Sequence, residues 1–278
     1  MTGPVGPRPA GPRRQVRAQL ELEVEQSLDA VLKIAVCDLR GVTIEESLTI
    51  TLDGNPMTVS ELFIPGEGRT HLVTARPGVL AVDYQATIDG CGAPAAATPA
   101  DYVIYARPSR YAESDLLAAV ARDEFAGLSA GPELLAAVCA WVAAKLSYVP
   151  GSSGPTDGAV QALLRRQGVC RDYAHLVVAL LRALDVPARM ASAYAPGLRP
   201  MDFHAVAEVI VDGYWRVADA TRLAPRAGLV KIATGRDAAD VAFLSTYGGA
   251  GTLTSIAVTA TIDGDLPGDD LTRLASIG

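Results

Sequence analysis

The stretch from Val169 to Leu184 constrains the fold of this chain more than any other. Ala174, Leu176, Val177, Val178, Leu180, Leu181 and Leu184 cover nearly the whole circumference of a helix, and Pro187 stops its extension. A helix that is apolar all round has no face for water, so it must lie at the centre of a packed domain. Ser114 to Phe125 and Pro132 to Leu146 precede it with Leu, Ala and Val at helical spacing. Between them and the central helix lie a loop, Gly151-Ser152-Ser153-Gly154-Pro155, and a short helix capped by Thr156 or Asp157, running to about Arg166 and ended by Gly168. Strands follow at Ala188 to Tyr194, His204 to Val211, Tyr214 to Ala218 and Leu253 to Ile262. Helices followed by a run of antiparallel strands make an α+β domain.

Ahead of Arg107 the period is two rather than three to four, as in Gln19-Leu20-Glu21-Leu22-Glu23-Val24 and Ser47-Leu48-Thr49-Ile50-Thr51-Leu52. The second run meets Asp53-Gly54, a pair that tolerates positive φ, so the strand ends at Leu52. Further strands are predicted around Leu32 to Val36, His71 to Thr74 and Gly78 to Ile88, which suggests a small β-sandwich or barrel. Met1 to Arg17 is rich in Gly, Pro and Arg and reads as a disordered tail. The predicted division is a tail at residues 1–17, a β-rich accessory domain at 18–110 and the α+β domain at 111–278.

Charge narrows the function. The 278 residues carry Lys+Arg 24 against Asp+Glu 31, a net charge of −7, which argues against a nucleic-acid or acidic-membrane binder because phosphate needs clustered cations. A charge-steered partner should be neutral or basic. Cys37, Cys91, Cys139 and Cys170 are too sparse for a disulfide scaffold and form no CxxC or zinc spacing, so no metal is expected. With no apolar run of membrane-spanning length (about 18 residues) and no signal-peptide pattern, a cytoplasmic location is expected, where a free thiol persists.

Cys170 sits at the first turn of the buried helix, facing unpaired backbone N–H groups and the positive end of the dipole. Those favour a thiolate by about 0.3–1 kcal/mol, too little on their own to make a nucleophile at neutrality. A second helper is needed, most simply an imidazolium. His175 lies on the same helix about 140° around the axis, pointing elsewhere, and His71 lies in the β-rich region. His204 opens a strand that returns through Asp212-Gly213. If those two residues are the turn, Val211 opposes Tyr214 and Val206 opposes Asp219, so Asp219 shares a face with His204 at about 7–8 Å diagonally. An acid so placed orients the imidazole and favours its charged form.

Plainer readings stand beside these. A Cys at a helix start is commonly a small buried residue, and Cys37 and Cys139, in apolar segments, keep that reading. Cys91, in Asp89-Gly90-Cys91-Gly92, reads as an exposed turn residue. Arg171 and Asp172 either support the helix start or form a surface ion pair. Glu208 is a buried anchor or a second acid, and Arg189 a strand-edge cap. An oxyanion would find the Cys170 N–H, with Tyr148 or Trp141 as a second donor, Trp141 fitting better in the core.

Three blocks resemble a known family. Gly168-Val169-Cys170-Arg171-Asp172-Tyr173-Ala174, with Leu180-Leu181-Arg182-Ala183-Leu184 and Val186-Pro187-Ala188-Arg189, looks like the nucleophile helix and following strand of the bacterial transglutaminase-like superfamily. His204-Ala205 with Glu208-Val209 resembles its His-Ala-Trp-x-Glu-Val strand, Asp219-Ala220-Thr221 its Asp-Pro-Thr, and Gly235-Arg236-Asp237-Ala238-Ala239-Asp240-Val241 a loop common in such chains. The match covers roughly residues 111–262, and the front half resembles the accessory domain often found beside that core. The resemblance implies a papain-like/transglutaminase-like core with an N-terminal β-sandwich. It also implies Cys170 as nucleophile, His204 as base and Asp219 as orienting acid, with no cofactor and a protein or peptide substrate. Val206 stands in place of the usual Trp and Ala220 in place of the usual Pro. The activity implied is that of a cysteine protease or amidase, or of an acyltransferase to amines; the alternative is a catalytically silent protein-binding module.

Overall fold

The computed structural model of the chain describes residues 11–64 and 67–277. Period two becomes alternate burial: β1 (Arg14–Val24) buries every second residue along its whole length, as a strand with one wet face must. β2 (Leu28–Leu32), β3 (Thr43–Leu52), β4 (Asn55–Pro56), β5 (Ser60–Ile64), β6 (Gly68–Ala75) and β7 (Gly78–Asp89) follow. β3 ends at Leu52 as expected, because Asp53 and Gly54 take positive φ of 51° and 78° and turn the chain into β4.

Two N-terminal expectations need correction. The tail expected over residues 1–17 stops short of Arg17, since Arg14 to Arg17 belong to β1 and pair with strands on both sides. Arg14 is fully buried, its guanidinium donating to the carbonyls of Gly90 and Leu229; residues 1–10 lie outside the described residues. The strand expected at Leu32 to Val36 falls earlier, at β2, and Ile34 to Val36 run on as buried irregular chain.

The middle of the chain holds α1 (Pro99–Ile104), α2 (Ala118–Glu124), α3 (Pro132–Lys145), β8 (Ser147–Tyr148), α4 (Ala159–Arg165), β9 (Gln167–Gly168) and α5 (Cys170–Ala183). Gly158, not Thr156 or Asp157, precedes α4, and Arg166 in the left-handed region (φ 58°) ends it ahead of Gly168. α5 is the central helix required by its composition, with every residue from Asp172 to Ala183 buried. Leu176, Val177 and Leu180 are 0% exposed, each stabilising the fold by about 1.5–3 kcal/mol. β10 (Ala188–Tyr194), β11 (Phe203–Val211), β12 (Tyr214–Ala218), β13 (Val230–Gly235), α6 (Ala238–Val241), β14 (Leu244–Tyr247) and β15 (Gly251–Ile262) complete the chain. No described helix is long and apolar enough to cross a membrane.

The fold is α+β with a strand-rich N-terminal region, but both sheets draw strands from either side of residue 110. One runs β15-β1-β7-β3-β4; the other runs β12-β11-β10-β13-β6-β2-β14, with β5 added beside β6. Their buried faces share one apolar cluster that joins Leu20, Leu80 and Val82 to Val73, Val230 and Ile232. A second cluster packs α2, α3, α4 and α5 against Ala188, Ala207, Val209 and Ala218. Residues 18–110 expressed alone therefore lose the β15 partner of β1 and the β13 and β14 neighbours of β6 and β2. That fragment is expected to show no cooperative thermal transition by near-UV circular dichroism; a sharp one would establish an independent domain.

Candidate active site

The start of α5 is fixed from outside as well as by its own hydrogen bonds. Cys170 is the first helical residue, after Val169. Gly168 pairs in parallel with Tyr148, and the Val149 N–H donates to the Gly168 carbonyl at 3.0 Å. Asp172 is 0% exposed; its Oδ2 accepts from the Val169 N–H at 2.7 Å and from Ser153 Oγ at 2.6 Å. Arg171 Nη2 donates to Ser153 Oγ at 2.8 Å and to the Gly154 carbonyl at 2.7 Å. Arg171 and Asp172 are thus supports that pin the Gly151–Pro155 loop to the helix start. A β-carbon on Gly168 would sit 2.6 Å from that of Asp172, so only glycine leaves room for this arrangement. Nothing in the sequence marks Ser153; an acid three residues past the cap signals that the N-terminus is capped, without naming the loop residue that joins it.

The second half of the site rests on the β11–β12 hairpin. Asp212 and Gly213 take positive φ of 53° and 78°, the two-residue turn expected of that pair, and Val211 opposes Tyr214 while Ala207 opposes Ala218. Continued past β12, that register puts Asp219 opposite Val206 and diagonal to His204. There His204 Nε2 meets Asp219 Oδ2 at 2.7 Å, both side chains almost wholly buried. The other carboxylate oxygen accepts from the Thr221 N–H at 2.8 Å and from Thr221 Oγ1 at 2.7 Å.

Electrostatics couples this pair to the helix. Burial opposes charge on His204, but the Asp219 carboxylate against it and the neighbouring Cys170 thiol overcome that penalty and raise it to about 10. Burial likewise opposes the Asp219 anion, yet His204 and Thr221 hold it below the usual carboxylate range. His204 Nδ1 is buried without a hydrogen bond. Tyr148 also neighbours Cys170: burial and the Cys170 thiol push its phenol up to about 12, while the Cys170 backbone N–H pulls the other way.

The remaining candidates fall elsewhere. Glu208 is fully buried, with Oε2 2.9 Å from Arg189 Nε and Oε1 2.6 Å from Lys231 Nζ, so it is an anchor rather than a second acid. Arg189, read as a strand-edge cap, instead lies inside the sheet, 3.9 Å over the Trp215 ring. His175 points away as expected: its Nε2 accepts the Ala238 N–H at 3.1 Å, and burial lowers it to about 3. Together with Arg182, which donates to the Arg236 carbonyl at 2.7 Å, it ties α5 to the Gly235–Val241 loop. His71 lies on β6, near Glu61 rather than the site. Burial raises the Cys37 and Cys139 thiols, the latter to about 12; Cys91 is exposed. Trp141 packs edge-on against Phe125 at 6.0 Å, in the core. Among the described residues no group of His, Cys, Asp and Glu is placed to hold a metal ion.

Comparison with known proteins identifies the family of the fold. A family model described as the transglutaminase-like superfamily matches residues 118–220. A solved structure from Cytophaga hutchinsonii, described as a "putative cysteine protease", is 31% identical, with 95% of this chain and 96% of that one aligned at a TM-score of 0.86. The chain belongs to the transglutaminase-like superfamily. An uncharacterised protein of Mycobacterium leprae is 31% identical over 124 residues, 41% of this chain; the match spans 44% of that relative's length. The two departures from the superfamily pattern are both core positions. Val206 is 1% exposed in a cluster with Ala191 and Val217, and Ala220 is 3% exposed in the cluster around α5.

Two of the buried histidines, His204 and His175, give stability opposite pH slopes. His204 is raised from 6.5 to about 10, so its contribution is complete below about pH 6.5 and fades as pH rises through 10. His175 is lowered from 6.5 to about 3, so its contribution is complete above about pH 6.5 and fades as pH falls. Between pH 6.5 and 9.5 the Tm of the wild type is expected to decline more steeply than that of His204→Gln, measured by scanning calorimetry. Parallel curves would contradict the charged state assigned to His204.

Proposed function

We propose that this superfamily member is a thiol enzyme acting on amide bonds of a protein or peptide, a cysteine peptidase or amidase, with Cys170 as nucleophile. The observation that carries this reading is the buried 2.7 Å contact of His204 with Asp219, on a ring whose other neighbour is the Cys170 thiol. The description of the Cytophaga hutchinsonii relative supports it.

In the ion-pair form, the Cys170 sulfur attacks the amide carbon and its electron pair forms the C–S bond. Charge moves to the carbonyl oxygen, where the Cys170 backbone N–H and the Tyr148 hydroxyl are the donors at hand. As the C–N bond breaks, His204 gives its proton to the departing nitrogen, leaving an acyl-thioester and a neutral imidazole. His204 then takes a proton from water, whose oxygen attacks the thioester; the acid leaves and the thiolate–imidazolium pair returns. Asp219 stays ionised throughout, holding the ring by Nε2 so that Nδ1 faces the sulfur. A primary amine in place of water would make the same intermediate an acyl-transfer donor, as in a protein-glutamine acyltransferase.

Incubation with casein and a labelled primary amine separates the outcomes. Shortened fragments are expected from the wild type and none from Cys170→Ala, with His204→Ala slower by about 10²–10⁴-fold. Label incorporation instead of cleavage would assign transfer. If iodoacetamide titrates Cys170 as an ordinary thiol of pKa about 8.5, and His204→Ala leaves that curve unchanged, the nucleophile is absent and a binding module replaces the enzyme.

A further inference from the structure

The mechanism leaves one acidic side chain at the site without a role. Asp202 stands two residues before His204, just ahead of the Phe203–Tyr194 pair that begins the β10–β11 ladder. It lies in the irregular chain that leads into β11. Unlike His204 it is exposed. Its Oδ1 accepts the N–H of Phe203 at 2.7 Å, which fixes the carboxylate rather than neutralising it. Among the described residues no lysine or arginine pairs with it. The ionisable groups that feel it are His204 and Tyr148, the two side chains flanking Cys170.

Arg171 and Asp172 offset each other, as do the Cys170 thiolate and the His204 imidazolium in the ion-pair form. Asp219 is buried against His204, with Arg222 lining the same cavity, while the Asp202 carboxylate reaches solvent. Apolar surface lies at the same rim: Met201 is 38% exposed and Tyr148 39% exposed, suited to the methylene stem of a long cationic side chain. A bare carboxylate beside such surface, in a chain of net charge −7, attracts basic peptides and repels acidic ones.

We propose that Asp202 is a specificity residue that selects substrates with a lysine or arginine side chain next to the reacting amide. The inference rests on Cys170 being the nucleophile, and one experiment separates the two ideas without a known substrate. Full-length protein is alkylated with two isosteric probes, the iodoacetamides of 2-(trimethylammonio)ethylamine and of 3,3-dimethylbutylamine, and peptide mapping by mass spectrometry resolves Cys170 from the exposed Cys91. The cationic probe is expected to modify Cys170 about three- to tenfold faster than the neutral one, with a ratio near unity at Cys91. Asp202→Asn should bring the Cys170 ratio down to that of Cys91, and Asp202→Glu should retain it. Rapid labelling of Cys170 with no charge preference, or a preference unchanged in Asp202→Asn, overturns the assignment of Asp202 and leaves the nucleophile standing. Labelling of Cys170 no faster than Cys91 by either probe, and unaffected by His204→Ala, overturns both.

Discussion

His204 and Asp219 meet at 2.7 Å with 1% and 4% of their surfaces exposed. Two charged groups so far from water hold together only when their remaining polar atoms are also provided for, because each pays a desolvation penalty of several kcal/mol, to order of magnitude. Asp219 meets that condition through the Thr221 N–H and hydroxyl. His204 leaves Nδ1 without a hydrogen bond, and the group nearest in effect is the Cys170 thiol. That nitrogen is the one left to meet the sulfur in the mechanism proposed for Cys170. Much of the surrounding structure serves this geometry: the Asp212-Gly213 turn sets the register, and the all-buried α5 holds the sulfur at a fixed point.

The same logic explains the supports beneath Cys170. A helix start exposes N–H groups that must find partners, and here Asp172 satisfies one while tying Ser153 to the same carboxylate. Arg171 closes the loop from the other side. Tyr148 is delivered by the two-residue pairing of β8 with β9, so both flanks of the thiol are set by backbone hydrogen bonds rather than by side-chain packing alone. Rigid placement of this kind suits the nucleophile role proposed for Cys170.

How much of this was legible depended on whether the information was local. The β11–β12 register followed from strand parity and one Asp-Gly turn, and so did the diagonal from His204 to Asp219. The central helix announced itself by having no polar face. Glu208 is legible on its strand face, but its role is decided by Lys231 on β13, which carries a lysine in a short apolar run and has no alternation to mark it. Leu244 to Tyr247 forms a strand only because β2 is there to pair with it. The boundary at residue 110 failed to describe the sheets for the same reason: the alternation in β1 states that one face is buried and says nothing of which distant strand, β15, lies beside it. Ser153 and Asp202 sit in irregular chain, where no period exists to read.

The protonation state of His204 in the resting protein tests the account most directly. Imidazole ¹⁵N NMR of the full chain, assigned with His204→Gln, should show both ring nitrogens of His204 protonated at pH 7, and the ring titrating only near pH 10. A neutral His204 ring at pH 7, titrating near the ordinary value of 6.5, would contradict it.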